Sequence, residues 1–307
     1  MTSKFQTIGL FGKYKDPSVH QALDHLTEFL KENGHKVLLG ETTPVELHKP
    51  DTEIFGETGI DKSIDLGVVI GGDGTMLNVG RSLAKHNIPL VGINMGHLGF
   101  LADISAESMI DEISQILQGH HVIENRMMLR ADVEVDGTVI HSASAFNDVV
   151  ISKSEPARII EFEVWADNEL VTYLRGDGVI ITTPTGSTAY ALSAGGPILH
   201  PTLPAIALVP ICPHALSNRP IVLKDSCKIE ICVNPVRQSG AQISIDGHID
   251  YAIDGSEQIR VQRADEVVQL VRASGHNHYG ALRAKLGWGD HLQTKNSNLG
   301  IGSKPKP

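Results

Sequence analysis

The stretch that most constrains this chain is Leu66-Gly67-Val68-Val69-Ile70, followed at once by Gly71-Gly72-Asp73-Gly74-Thr75. The apolar run reads as a buried strand, and Thr75 to His86 reads as a helix. Between them, glycines surround a single acid. Glycine tolerates the positive φ of a tight turn and has no Cβ, so the backbone can come close to a bulky anion. Free N–H groups at the start of the helix face the same spot. Asp73 points there too. A carboxylate beside phosphates is unfavourable unless it handles a proton or a metal ion, so the segment points to phosphoryl transfer.

The chain around this turn has 307 residues, 41% of them hydrophobic, with room for two domains. Its net charge of −10 argues against a nucleic-acid or anionic-membrane binder, so any phosphates must find their positive field locally. Cys212, Cys227 and Cys232 show no CxxC spacing and read as buried thiols of a reducing compartment. With no apolar run resembling a signal peptide or a membrane span, the cytoplasm is expected.

Residues 1–120 alternate strand and helix. Phe5 to Phe11 reads as a strand, and Pro17 opens a helix whose stripe of Val19, Leu23, Leu26 and Leu30 leads to a stop at Gly34. Val37 to Leu39 resumes a strand, and the polar stretch from Thr42 to Gly59 reads as a mobile loop near the site. Pro89 to Asn94 is a further strand, and Ser105 is expected to cap a helix ending at Gly119. Such alternation implies a parallel sheet covered on both faces, with ligands beyond the carboxyl ends of its strands. Residues 121–274 instead lean toward period-2 alternation, with turns at Asp136-Gly137 and Asp167-Asn168 and separate strands at Ile259 to Gln262 and Val267 to Val271, and read as a mostly antiparallel β domain. Tyr279 to Leu286 reads as a helix, within a segment from about 275 to 290 that packs back on the first domain. The tail from 291 to 307 is polar and frayed.

Other nucleotide motifs fail. GxxxxGK[ST] is absent, and Leu77 stands where GxGxxG needs its last glycine. HExxH is missing and the histidines lack zinc spacing, so no metal ligand is assigned to the protein. Thr182 to Tyr190 carries six hydroxyl-bearing side chains in nine residues, either a hydrogen-bonding shelf or a Ser/Thr-rich turn. Asn147-Asp148 interrupts an apolar strand and could grip a ribose diol or mark a bulge. Asp246-Gly247 reads as a hairpin turn that becomes a contact only if the fold brings it to the site. Backbone N–H groups around Gly71, Gly72 and Thr75 suit phosphate, with Lys13 and Arg175 as candidate local cations.

These residues resemble the NAD kinase family, in particular its bacterial cytoplasmic branch. The likeness rests on GGDGT at 71–75, Gly92 to Leu101, Phe146-Asn147-Asp148, TPTGSTAY at 183–190 with Gly196-Pro197, and Lys285-Leu286-Gly287-Trp288. The resemblance implies an α/β first domain with a parallel sheet, a β-rich second domain and a site between them. It also implies ATP-dependent phosphorylation of the adenosine ribose 2′-hydroxyl of NAD, with Mg²⁺ or another divalent cation accompanying ATP, in a homo-oligomer, dimer or tetramer. By that likeness Asp73 is the general base, Asn147 and Asp148 hold the ribose, and Phe100 lines the adenine pocket. Gly74, Thr188, Ala189 and Tyr190 contact the dinucleotide, Asp177 faces the nicotinamide amide, and Asp246 falls in a contact region. Many members carry Glu where Asp148 stands. GGDGT is shared with lipid and sphingoid kinases, which gives one alternative; a dinucleotide sensor without turnover is another.

Overall fold

The computed structural model describes residues 5–12, 17–40, 53–55, 62–96, 99–155, 159–234, 240–275 and 277–288. Lys13, most of the stretch expected to be a mobile loop, and the tail lie outside them.

The first part runs β1 (Thr7–Gly12), α1 (Pro17–Glu32), β2 (Lys36–Gly40), β3 (Glu53–Phe55), β4 (Leu66–Ile70), α2 (Asp73–Ala84), β5 (Leu90–Asn94), β6 (Ile104–Ser105) and α3 (Met109–Leu117). All its strand pairings are parallel: β3 to β2, β2 to β1, β1 to β4, β4 to β5 and β5 to β6. Strands covered on both faces read as unbroken apolar runs, and β1, β4 and β5 are buried along their whole length. On one face the stripe of α1 and Ile113 and Ile116 of α3 pack on Ile8, Leu10, Val68 and Ile93. On the other, Met76, Val79 and Leu83 of α2 pack with Val69, Leu90 and Phe146. Sandwiching the sheet in this way fixes α2 directly behind β4, with the glycine turn at the sheet's carboxyl edge.

The second part contains β7 (His121–Val135), β8 (Thr138–Ala145), β9 (Asp148–Lys153), β10 (Ile160–Ala166), β11 (Glu169–Gly176), β12 (Gly178–Thr182), α4 (Tyr190–Ser193), β13 (Ala205–Ile211), β14 (Ile221–Lys224), β15 (Ile229–Val233), β16 (Ala241–Ile245), β17 (His248–Ile253), β18 (Gln258–Ala273) and α5 (His278–Leu286). Six of these strands form an antiparallel sheet in the order β14-β13-β12-β9-β16-β17. Alternate side chains of β15 and β16 are buried, as period-2 pleating requires. Val149, Ile151, Ile181 and Ile243 of the smaller sheet share a core with Leu129, Phe162, Ile231 and Ile259 of the other.

The two parts share one sheet. β18 runs antiparallel to β7 and β15, then continues beside β5 in parallel register, Leu270 opposite Leu90. A single twelve-stranded sheet therefore passes from the parallel part into the antiparallel part. Three local expectations are corrected. Glu53–Phe55, read as loop, is a strand registered on Leu38–Gly40. The third helix starts after Ser108, because Ser105 belongs to β6 and its hydroxyl accepts the Ser108 N–H at 3.2 Å. The two strands expected near 259–262 and 267–271 are one, with a register shift between Arg263 and Val267.

Candidate active site

Gly71 leaves β4 with its N–H on the Ile93 carbonyl at 2.8 Å, and Gly72 stands as N-cap of α2 with no side-chain cap. Asp73 is thus the first helical residue, where the helix terminus favours negative charge. Its carboxylate leaves the helix and accepts three successive backbone N–H groups: Phe100 on Oδ2 at 3.0 Å, and Leu101 and Ala102 on Oδ1 at 3.1 and 3.3 Å. Gly99 makes this possible, since a Cβ there would strike Asp73 Oδ1 and lie 2.8 Å from the Ala102 carbonyl oxygen. Arg272, 1% exposed, holds the same loop by donating to the Leu101 and Phe100 carbonyls at 2.8 and 3.1 Å while pairing with Asp103 at 2.6 Å.

Asn147 and Asp148 sit where the chain enters β9, and Asp246 fastens them. Its buried carboxylate accepts the N–H groups of Phe146, Asn147 and Asp148 at 3.0, 2.7 and 3.1 Å and pairs with Arg81 of α2. Asp246 has φ +48 and Gly247 φ +84, the turn conformation expected of an Asp-Gly hairpin. The Asp246 side chain is fully engaged in this support. Burial, with the Asp246 charge second, pushes the Asp148 carboxyl up to about 7.

The hydroxyl-rich segment is largely a backbone clamp. The Thr183 hydroxyl donates to the Phe146 carbonyl at 2.8 Å and accepts the Gly186 N–H at 3.0 Å; Thr182 donates to the Asn147 carbonyl at 3.1 Å. Ser187 ties Pro184 to Leu199. A Cβ on Gly186 would collide with the Asn147 carbonyl. Thr182, Thr183 and Ser187 are completely buried, so these hydroxyls shape the shelf rather than face a ligand. Thr185 and Thr188 line a small cavity with Phe100, Arg126 and His278. Arg126 is 4% exposed, and its Nε has no hydrogen-bond partner.

Asn147, Asp148, Ala189 and Tyr190 line a second cavity of about 330 Å³ with Ser152, Ser244 and the Asp246-Gly247 turn. Asp177 lies on the link between β11 and β12, paired with Lys153 at 2.7 Å. Arg175 pairs with Glu161 at 3.4 Å on the neighbouring strand β10, so the structure gives this arginine a carboxylate partner away from the glycine turn. Thr75 lies in the first turn of α2, where a Cβ on Gly71 would lie 2.7 Å from its hydroxyl.

Three cations escaped the sequence reading: Arg81, Arg126 and Lys285. Lys285 of α5 stands 3.7 Å from Asp73 Oδ2 and 4.6 Å above the centre of the Phe100 ring. The helix carrying it was legible, but Lys285 was given no role. The pairing of Arg81 with Asp246 spans distant segments and left no local pattern.

The glycine turn thus stands at the carboxyl edge of a parallel sheet, with its one carboxylate anchored on the backbone of residues 100–102. Sequence profiles of the ATP-NAD kinase N-terminal and C-terminal domains match residues 8–121 and 146–273. The NAD kinase of Nitrosospira multiformis is 43% identical over 288 residues, 94% of this chain and 97% of the relative. That of Nitrosomonas europaea is 44% identical over 293 residues, 95% and 98% of the two chains. The chain belongs to the ATP-NAD kinase family. Its fold matches yeast NADH kinase complexed with NADH, with a TM-score of 0.79 at 24% identity over 98% of this chain and 94% of the other. It also resembles the NAD kinase from Archaeoglobus fulgidus in complex with ATP, TM-score 0.69 at 25% identity, covering 91% and 99%.

Proposed function

We propose that this chain is an NAD kinase that transfers the terminal phosphoryl group of ATP to the adenosine ribose 2′-hydroxyl of NAD, giving NADP. The observation that carries the reading is Asp73 at the start of α2, its carboxylate fixed on the N–H groups of residues 100–102. Phosphoryl transfer asks the protein mainly to align a hydroxyl with phosphorus, take its proton and screen charge. Asp73 would accept the proton, with Oδ2 as the oxygen less fully engaged by backbone. Asn147 and Asp148 would hold the ribose, Phe100 would line the adenine pocket, Gly74, Thr188, Ala189 and Tyr190 would contact the dinucleotide, and Asp177 would face the nicotinamide amide. The N–H groups of Gly72 to Gly74 at the start of α2 would meet the phosphates, because those of Gly71 and Thr75 are taken by the Ile93 and Gly72 carbonyls at 2.8 and 3.0 Å.

Among the described residues no cluster of three or more His, Cys, Asp or Glu could hold an ion by itself. Mg²⁺ commonly binds one or two carboxylates together with substrate phosphates. Such an ion, bound to the donor, would screen the transferring phosphoryl charge.

The lipid-kinase and sensor readings are not favoured, because the matches across the chain are to NAD kinases. Among the described residues no helix is long and apolar enough to cross a membrane. A cytoplasmic enzyme accords with the free thiols of Cys212, Cys227 and Cys232. A homo-oligomer accords with Ile249, 70% exposed, and Val222, 46% exposed, on the two edge strands of the smaller sheet; sedimentation would measure its size. The reading is tested by incubating the protein with NAD, ATP and Mg²⁺ and coupling the product to an NADP-specific dehydrogenase. Signal that needs both NAD and ATP is expected. No signal while NAD still binds by calorimetry would restore the sensor.

A further inference from the structure

A chain of net charge −10 that handles phosphates must place a cation at its glycine turn. The arginines near the site are committed elsewhere. Arg81 holds Asp246, Arg126 pairs with Glu124, Arg175 with Glu161, and Arg272 with Asp103 and two carbonyls. Lys153 serves Asp177. Lys285 differs from all of these. Its two recorded contacts, Asp73 Oδ2 at 3.7 Å and the face of Phe100 at 4.6 Å, are both with groups assigned to substrates.

We infer that Lys285 is the phosphate-binding lysine of this site: its ammonium waits on the Asp73 carboxylate and takes the donor's terminal phosphates when the nucleotide arrives. The inference rests on the phosphotransferase reading above. A carboxylate offers about four acceptor positions; the backbone fills two on Oδ1 and one on Oδ2, and Lys285 lies near the fourth. That position must open for the substrate hydroxyl. At 3.7 Å the ammonium is outside ordinary hydrogen-bond range of the oxygen, so it can leave without breaking a close bond. Lysine suits this task because it is a compact charge on a flexible stem, whereas arginine forms fixed two-point contacts. The supporting helix is also arranged for it. Asn277 caps α5 by accepting the Gly280 N–H at 3.1 Å, Gly287 ends it at φ +63, and Leu282 is its buried anchor. Lys285 follows Leu282 by one helical turn and is 26% exposed at its side chain, packed toward the site but still reachable from it.

Lys285→Met keeps an apolar stem of similar reach and removes only the charge. The expected result is a rise of tenfold or more in the KM for ATP and a fall in kcat of about a hundredfold, the order seen when one donor to a developing charge is removed. The KM for NAD should stay within twofold, and Lys285→Arg, which keeps the charge but not the compact ammonium, should recover only part of the loss. Inorganic tripolyphosphate, titrated by calorimetry, should bind the wild type at least ten times more tightly than Lys285→Met. Unchanged ATP kinetics in Lys285→Met would overturn the inference, and so would equal losses toward ATP and NAD with a lowered melting temperature, which mark a packing role. A wild type that makes no NADP would count against the parent reading, while the tripolyphosphate titration would still decide the role of Lys285.

Discussion

The molecule uses one device twice. In the parallel part Asp73 accepts the N–H groups of residues 100, 101 and 102; in the antiparallel part Asp246 accepts those of 146, 147 and 148. Each carboxylate also faces one basic side chain, Lys285 in the first case and Arg81 in the second. The difference lies in access. The Asp73 side chain is 32% exposed with its lysine at a loose 3.7 Å. Asp246 is 0% exposed and locked to Arg81. A buried, fully paired carboxylate fixes backbone, whereas a partly open one with a displaceable cation can exchange partners. The same hydrogen-bonding pattern therefore supports a frame in one place and chemistry in the other.

The comparison is broken most severely at its closed end. Asp246→Ala leaves Arg81 and three N–H groups without their acceptor, and removing one partner of a buried pair costs about 3–5 kcal/mol. Urea unfolding should show that loss; a change below about 1 kcal/mol would remove Asp246 from its structural role. Next comes Gly99→Ala, whose Cβ would press on Asp73 and the Ala102 carbonyl oxygen. Overpacking of this kind costs about 1–3 kcal/mol, and turnover should fall because the displaced group is Asp73 itself.

A third effect concerns Asp148, which lies beside the closed device. Its folded value of about 7 lies above the ordinary 3.8, so the folded chain holds that proton more tightly than the unfolded chain. The resulting stability is present at low pH and is lost as pH rises, completely above about 7. Asp148→Asn has no such proton to lose. Its melting temperature relative to wild type should climb between about pH 4 and pH 7 and then level off. A pH-independent difference would mean that Asp148 titrates normally.

Much of this was visible in residue order, and the rest was not for identifiable reasons. The turn at 71–75 was legible because glycine beside an apolar run leaves few backbone options. The change from parallel to antiparallel pairing was legible from the change of period near residue 121. β18 was split in two because Asp265-Glu266 interrupts its apolar alternation where the structure shifts register. β3 was missed because a three-residue strand in polar sequence carries almost no period. Within the site, the Asn147-Asp148 pair stood out as polar residues inside an apolar strand. The support from Asp246, nearly a hundred positions away, could not be seen. The hydroxyls of Thr182, Thr183 and Ser187 left shelf and turn undecided because sequence shows donors without showing that nearby carbonyls already use them.

The account stands most directly on Asp73→Asn, measured at once for NADP formation and for stability. Asparagine keeps an acceptor oxygen toward the Leu101 and Ala102 N–H groups, gives up the Phe100 N–H to water and loses the base. NADP formation should fall about 10²–10⁴-fold, the usual worth of a positioned base, while unfolding free energy changes by no more than about 1 kcal/mol, the scale of one charge at a helix end. Near-normal turnover, or a stability loss as large as that of Asp246→Ala, would contradict it.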